Sequence, residues 1–199
     1  INNFLEEESF HTEPSYSNHG YFLYVGRLSH EKGVEYLIKA MKNLPETKLH
    51  IVGKGPSEHD LIDLVNELDL TNVEFLGYKT GEDLHNEYKH CIATILPCNW
   101  FENFPTTILE SHVYGKPVIA SHLGGIPEMI EDNKYGITFE PTNVEKLTQA
   151  IKFLNDNPDK TIEMGKNARI NAEMKYNSEV YFQKISRIYN SLSSKYKQG

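Results

Sequence analysis

What most constrains this chain is a repeated alternation of short β-rich runs with helical patterns. Six such runs stand in order: Tyr21–Gly26, Lys48–Gly53, Val73–Gly77, Cys91–Pro97, Pro117–Ser121 and Tyr135–Glu140. Turn and breaker residues bound most of them, as strand ends require. Between the first three, Val34–Leu44 carries Leu37, Ile38, Met41 and Leu44 at helical spacing, and Ser57–Leu70 carries Leu61, Leu64, Val65 and Leu68 likewise. Alternation of this kind means a parallel sheet covered by helices on both faces. The strand runs are apolar almost throughout, which burial on two sides demands. Beyond Glu140 the pattern turns to helices alone, roughly Asn143–Asn155, Pro158–Lys175 and Ser178–Ser194.

The expected fold is therefore an open, parallel, Rossmann-like α/β sheet, with a helical C-terminal extension from about residue 143. Residues 1–20 are polar and acidic, with Glu6, Glu7, Glu8 and Pro14, and read as a linker; residues 21–199 read as one domain. In the last helix Tyr181, Ile185, Ile188, Leu192 and Tyr196 make an apolar stripe, suited to packing on another element.

Composition narrows the function classes. Twenty basic and 28 acidic residues leave a net charge of −8. With no basic run, the chain lacks the positive footprint that nucleic-acid binding needs. An anionic ligand would have to be held by a few local cations and backbone N–H groups. Cys91 and Cys98 lack metal-type spacing and read as buried, reduced thiols, which suits a cytoplasmic compartment. Nine histidines form no metal-binding motif, so no metal is expected. The apolar runs are too short to span a membrane, and the start has no signal-peptide pattern.

Ligands of open α/β sheets bind beyond the carboxyl ends of the strands, and the unusual residues of this chain gather there. The first run ends in Gly26-Arg27, with Ser29 and Glu31-Lys32-Gly33 following at a helix start. The second ends in Gly53-Lys54-Gly55 and the third in Gly77-Tyr78. Arg27 and Lys32 could clamp a diphosphate, Arg with a fixed fork of donors and Lys as a mobile charge; a pair of solvated surface charges is the simpler alternative. After the fourth run, Pro105 suits the first position of a helix over Thr106–Tyr114, with Gly115 as its stop. Glu102 then lies just ahead of the helix and Glu110 in its second turn. The first carboxylate could meet sugar hydroxyls and the second a ribose diol; a favourable charge ahead of the helix dipole and a solvated carboxylate are the simpler alternative. Gly124-Gly125 before Pro127 allows close backbone approach, or marks a simple turn.

Taken together, YVGRLSHEKGVEYLIKA, LHIVGKGP, VEFLGY, ENFPTTILESHVYGKPVIASHLGGIPEMI and YGITFEP, in that order, resemble the catalytic domain of the large retaining glycosyltransferase family, the group 1 type, that includes sucrose-phosphate-synthase-like, polysaccharide and lipopolysaccharide enzymes. The likeness runs from about Tyr21 to Asn155. Its most specific part is Glu102, seven intervening residues, then Glu110, followed by Gly115-Lys116-Pro117-Val118. Ser111-His112 departs from a commoner Ala-Met-like pair.

The resemblance implies the C-terminal, donor-binding half of a two-domain GT-B enzyme, whose N-terminal acceptor domain would lie outside this chain. It implies that Arg27 and Lys32 hold the diphosphate and stabilise the leaving nucleotide. It places Glu110 on the ribose, Gly77 and Tyr78 near the base, and Gly26 and Gly53 along the donor. Glu102 would contact the donor sugar, aided by backbone groups of Asn103, Phe104 and Thr106, either as nucleophile or, as we prefer, orienting the sugar. Transfer would retain the anomeric configuration and need neither metal nor cofactor, since fixed cations and helix N–H groups stabilise the leaving group. The donor would be a UDP- or GDP-sugar, UDP slightly ahead, and membrane contact would come only through the other domain. Two other readings stand beside this one. A nucleotide-sugar-binding module without turnover shares every motif. An NAD-dependent dehydrogenase does not, because Gly26-Arg27-Leu28-Ser29 lacks the G-x-G-x-x-G phosphate turn.

Overall fold

The computed structural model describes residues 4–196, with side chains left undescribed at 7, 8 and 191–196. Its six strands are β1 (Tyr21–Val25), β2 (Lys48–Val52), β3 (Val73–Gly77), β4 (Thr94–Leu96), β5 (Val118–Ser121) and β6 (Gly136–Phe139). They pair in the order β3-β2-β1-β4-β5-β6, and each pairing is parallel. The helices are α1 (Val34–Met41), α2 (Glu58–Glu67), α3 (Gly81–His90), α4 (Thr106–Val113), α5 (Ile126–Met129), α6 (Val144–Asp156), α7 (Pro158–Lys175) and α8 (Ser178–Tyr196). Short 3-10 turns occupy Glu7–His11 and His30–Lys32.

Strand alternation sends β1 side chains to two cores. Phe22 and Tyr24 join Leu37 and Ile38 of α1, Leu61 of α2 and Leu147 and Ile151 of α6 on one face. Tyr21 and Leu23 point the other way, toward Tyr88 of α3 and Tyr114 beyond α4. Ile108 and Leu109 of α4 and Ile126 and Met129 of α5 cover that same face over β4 and β5, against Leu96, Val118 and Ala120. Two-sided burial explains why β1 reads as an unbroken apolar run; each such side chain contributes roughly 1.5–3 kcal/mol.

The predicted architecture is present, with differences of detail. Pro105 is the N-cap of α4, its backbone extended, rather than the first helical residue. α6 is part of the sheet's cover and not an appendage, because Leu147, Ala150, Ile151 and Leu154 are in the main core. Asn143 caps it by accepting from Lys146 N–H at 3.0 Å.

Residues 4–20, read as a linker, are packed onto the domain. Leu5 N–H donates to the Tyr176 carbonyl and Ser15 N–H to the Tyr114 carbonyl, each at 3.0 Å. The Arg169 guanidinium of α7 takes the carbonyls of Phe10 and Thr12 at 2.7 and 2.9 Å. On α8, Tyr181 of the expected stripe meets the Phe4 ring at 4.4 Å between centroids. Ile185 is half-buried and Ile188 is 46% exposed, while Leu192 and Tyr196 lie outside the described side chains. Among the described residues no helix is long and apolar enough to cross a membrane. Cys91 and Cys98 are free and buried, and burial pushes each thiol up to about 12.

Candidate functional site

Strand order reverses between β1 and β4, so the loops that follow these two strands diverge and leave a crevice at the carboxyl edge of the sheet. Arg27 and Lys32 stand on the first loop and Glu102 on the second. Across the crevice the Lys32 ammonium donates directly to Glu102 Oε1. Both side chains are partly enclosed, at 26% and 22% exposure. Burial works against the charge on Lys32, but the Glu102 carboxylate outweighs it and holds the ammonium above its ordinary range. The Cys98 thiol also reaches Glu102 Oε1, at 3.6 Å.

The backbone that carries Glu102 is held from two sides. Asn99 N–H donates to the Glu31 carbonyl at 3.1 Å, tying the loop after β4 to the one after β1. Gly125 N–H donates to the Glu102 carbonyl at 2.7 Å, tying it to the loop after β5. Two of these close approaches require glycine. At Gly33, with φ of 67°, a Cβ would collide with the Pro97 carbonyl. At Gly124, with φ of 61°, it would collide with the Glu102 backbone. The glycines flagged in the sequence thus let three loops stack around one carboxylate.

Arg27 is exposed, and its carbonyl is fixed by the Tyr24 hydroxyl at 2.9 Å. Asn103 and Thr106 are exposed at the start of α4, whereas the Phe104 ring turns inward against Tyr176, centroids 5.6 Å apart. What Phe104 can offer a ligand is therefore its backbone. At the start of α4 the N–H groups of Thr106 and Thr107 have no backbone acceptor among the described residues, as at any helix start, whereas Ile108 N–H donates to the Pro105 carbonyl at 3.2 Å and the N-cap Pro105 has no N–H. Trp100 and Phe101, beside Glu102, are exposed aromatics that the sequence reading passed over.

Gly26, Gly53 and Gly77 stand together at the ends of three neighbouring strands: Gly26 N–H donates to the Val52 carbonyl at 3.0 Å and Gly53 N–H to the Gly77 carbonyl at 2.8 Å. Gly77 and the exposed Tyr78 end the edge strand, two strands away from the crevice.

Glu110 lies farther along α4, where it lines a cavity of about 430 Å³ between α3 and α4. Leu5, Ser9 and Thr12 of the N-terminal segment also line this cavity. Tyr88 of α3 donates its phenol to Glu110 Oε2 at 2.7 Å. Tyr88 carries no signal in the sequence, because α3 has little periodicity: Leu84 and Tyr88, four residues apart, are its sole strongly apolar pair.

The model of the family described as "Glycosyl transferases group 1" matches residues 6–171. An uncharacterized glycosyltransferase of Methanocaldococcus jannaschii is 36% identical over 139 residues, 67% of this chain and 35% of that protein. Among solved structures, HepE of Anabaena in complex with UDP superposes with a TM-score of 0.80 at 26% identity, over 88% of this chain and 50% of that one. Sucrose-phosphate synthase of Thermosynechococcus elongatus gives 0.79 at 29% identity, over 87% and 45%. The chain thus spans half or less of the length of each of these relatives.

Proposed function

The chain belongs to the glycosyl transferases group 1 family, and from that premise we propose that it is the donor-binding half of a nucleotide-sugar-dependent glycosyltransferase. The observation that carries the reading is the Lys32–Glu102 pair across the β1/β4 crevice. In a sugar nucleotide the charged diphosphate and the sugar hydroxyls are joined at a single glycosidic oxygen. A site for it needs a cation and a hydrogen-bond acceptor within one contact of each other, and this pair supplies both.

In this reading Lys32 and Arg27 take the diphosphate with the N–H groups that open α4, against a net charge of −8 on the chain as a whole. Glu102 turns from Lys32 to the sugar hydroxyls and orients the ring. The bond from the anomeric carbon to the diphosphate oxygen breaks, and a new one forms to an acceptor oxygen on the same face, with retention. The acceptor proton passes to the departing diphosphate. Fixed cations meet the charge as it develops, so the chemistry calls for no divalent metal. The acceptor would be held by a further domain, in keeping with relatives of whose length this chain covers half or less. UDP-sugars lead GDP-sugars as donors because HepE, similar over 88% of this chain, binds UDP. Buried thiols at Cys91 and Cys98 suit a cytoplasmic setting.

Calorimetric titration with UDP, GDP, ADP and NAD, each with EDTA and with Mg²⁺, tests this directly. The expected result is metal-independent binding of one nucleoside diphosphate, UDP ahead. Preference for NAD, or a strict requirement for Mg²⁺, would overturn it. Lys32→Ala should weaken the best nucleotide by about 10- to 100-fold, corresponding to one charge-assisted bond of roughly 1.5–3 kcal/mol. Unchanged affinity in both Lys32→Ala and Arg27→Ala would remove the clamp.

A further inference from the structure

We propose that Tyr88 is a positioning residue for ribose recognition: its phenol locks one oxygen of Glu110 and so presents the other to the 2′ and 3′ hydroxyls of the donor. The inference rests on the donor-binding reading and on the ribose role that the family resemblance implies for Glu110, and extends that role to a residue on a different helix, 22 positions away in sequence.

The geometry has three parts. First, Glu110 is only half-buried on α4, and a glutamate there has free rotation at its end unless something holds it. The Tyr88 hydroxyl does so, donating to Oε2 at 2.7 Å. Second, Tyr88 is itself immobile. It is 1% exposed, and its ring stacks on that of Tyr114, centroids 5.3 Å apart and planes within 3° of parallel. Third, the pair faces the cavity of about 430 Å³ between α3 and α4, which is roomy enough for a nucleoside. Burial first, and the neighbouring carboxylate second, hold the phenol well above its ordinary range, so Tyr88 stays a donor throughout the neutral range. A ribose diol binds best to a carboxylate oxygen already aimed at it, because the ordering has been done before the ligand arrives.

The test compares UDP or GDP, whichever binds tighter, with its 2′-deoxy form, titrated into the unsubstituted chain, Tyr88→Phe, Glu110→Ala and the double variant. Tyr88→Phe keeps the ring stack and deletes a single hydroxyl. It should weaken the ribonucleotide about tenfold, the size of one charge-assisted bond, and the 2′-deoxy form, which keeps only the 3′ hydroxyl, distinctly less. The double variant should match Glu110→Ala, since the phenol acts only through that carboxylate. Equal loss for both nucleotides in Tyr88→Phe would mean that Tyr88 serves packing alone. A Tyr88→Phe variant with intact ribose preference, where Glu110→Ala abolishes it, would overturn the inference and spare the ribose role. Intact preference in Glu110→Ala, or no nucleotide binding by the unsubstituted chain, would overturn the ribose role and this inference with it.

Discussion

Replacing Arg169 by methionine should cost the fold about 3–5 kcal/mol, the sum expected when one buried and two partly buried carbonyls lose a charged donor. Arg169 is 7% exposed on α7, and its planar fork serves separate parts of the chain at once. One terminal nitrogen donates to Thr12 and to the Val113 carbonyl at the end of α4, the other to Phe10, and Nε pairs with Glu173 at 2.5 Å. Methionine fills the space and offers no hydrogen. Lysine restores the charge but is a single point that cannot span these acceptors, so it should recover only part of the loss. Urea unfolding at constant slope measures the cost. Because Ser9 and Thr12 line the cavity that holds Glu110, release of this segment should also loosen nucleotide binding, and proteolysis should reach residues 4–20 first. A loss below about 1 kcal/mol would show that the segment is held by its other hydrogen bonds and apolar contacts and not by the guanidinium.

Residues 4–20 illustrate where sequence reading reached its limit. Their composition is that of a linker, and nothing local marks them as ordered. What orders them lies far along the chain: Arg169, more than 150 positions later, takes the Phe10 and Thr12 carbonyls, Lys116 takes that of Ser17, and the Tyr176 and Tyr114 carbonyls take the N–H groups of Leu5 and Ser15, all bonds to backbone groups that are blind to side-chain identity in the segment. The same limit hid α3. Its apolar content is a single i, i+4 pair, Leu84 and Tyr88, too little for a periodic signal, and it is helical because Tyr88 is buried under the sheet. The strands were legible for the opposite reason: burial on both faces writes itself into nearly every residue of Tyr21–Val25 and Val118–Ser121. In the site, the glycine-rich strand ends were readable, since close backbone approach demands glycine, and the Glu102 and Glu110 spacing was readable through the family resemblance. The Lys32–Glu102 contact was not, because it spans 70 positions and depends on the strand order that makes β1 and β4 neighbours.

The departure noted in the sequence at His112, which stands in place of a methionine-like residue, should make this domain acid-labile. His112 lies on α4, fully buried, and neither ring nitrogen has a hydrogen-bond partner among the described residues. Its neighbourhood is apolar and aromatic, with the Tyr135 ring at 6.4 Å. Burial pushes the imidazole down from 6.5 to about 3. In the unfolded chain the same ring takes a proton near its ordinary value. Between those two pH values the unfolded state therefore binds more protons than the folded one, and stability must fall as the pH drops from about 6.5 toward 3. Each pH unit crossed costs about 1.4 kcal/mol, so the loss by pH 4 is on the order of 3 kcal/mol from this residue alone. His112→Met should remove that slope. At pH 7 it should also stabilise the fold by roughly 1–3 kcal/mol, because two unpaired nitrogens leave the core for a side chain of similar reach. Carboxylates titrate in the same window in both proteins, so the difference between their urea midpoints at pH 7, 5 and 4 isolates the histidine. Parallel pH profiles would show that the ring is hydrogen-bonded or solvated in the folded state. A diverging pair would place the acid-sensitive point of the domain on the very helix that presents Glu110, and nucleotide at a hundred times its dissociation constant should then restore about 2.7 kcal/mol of what acid removes.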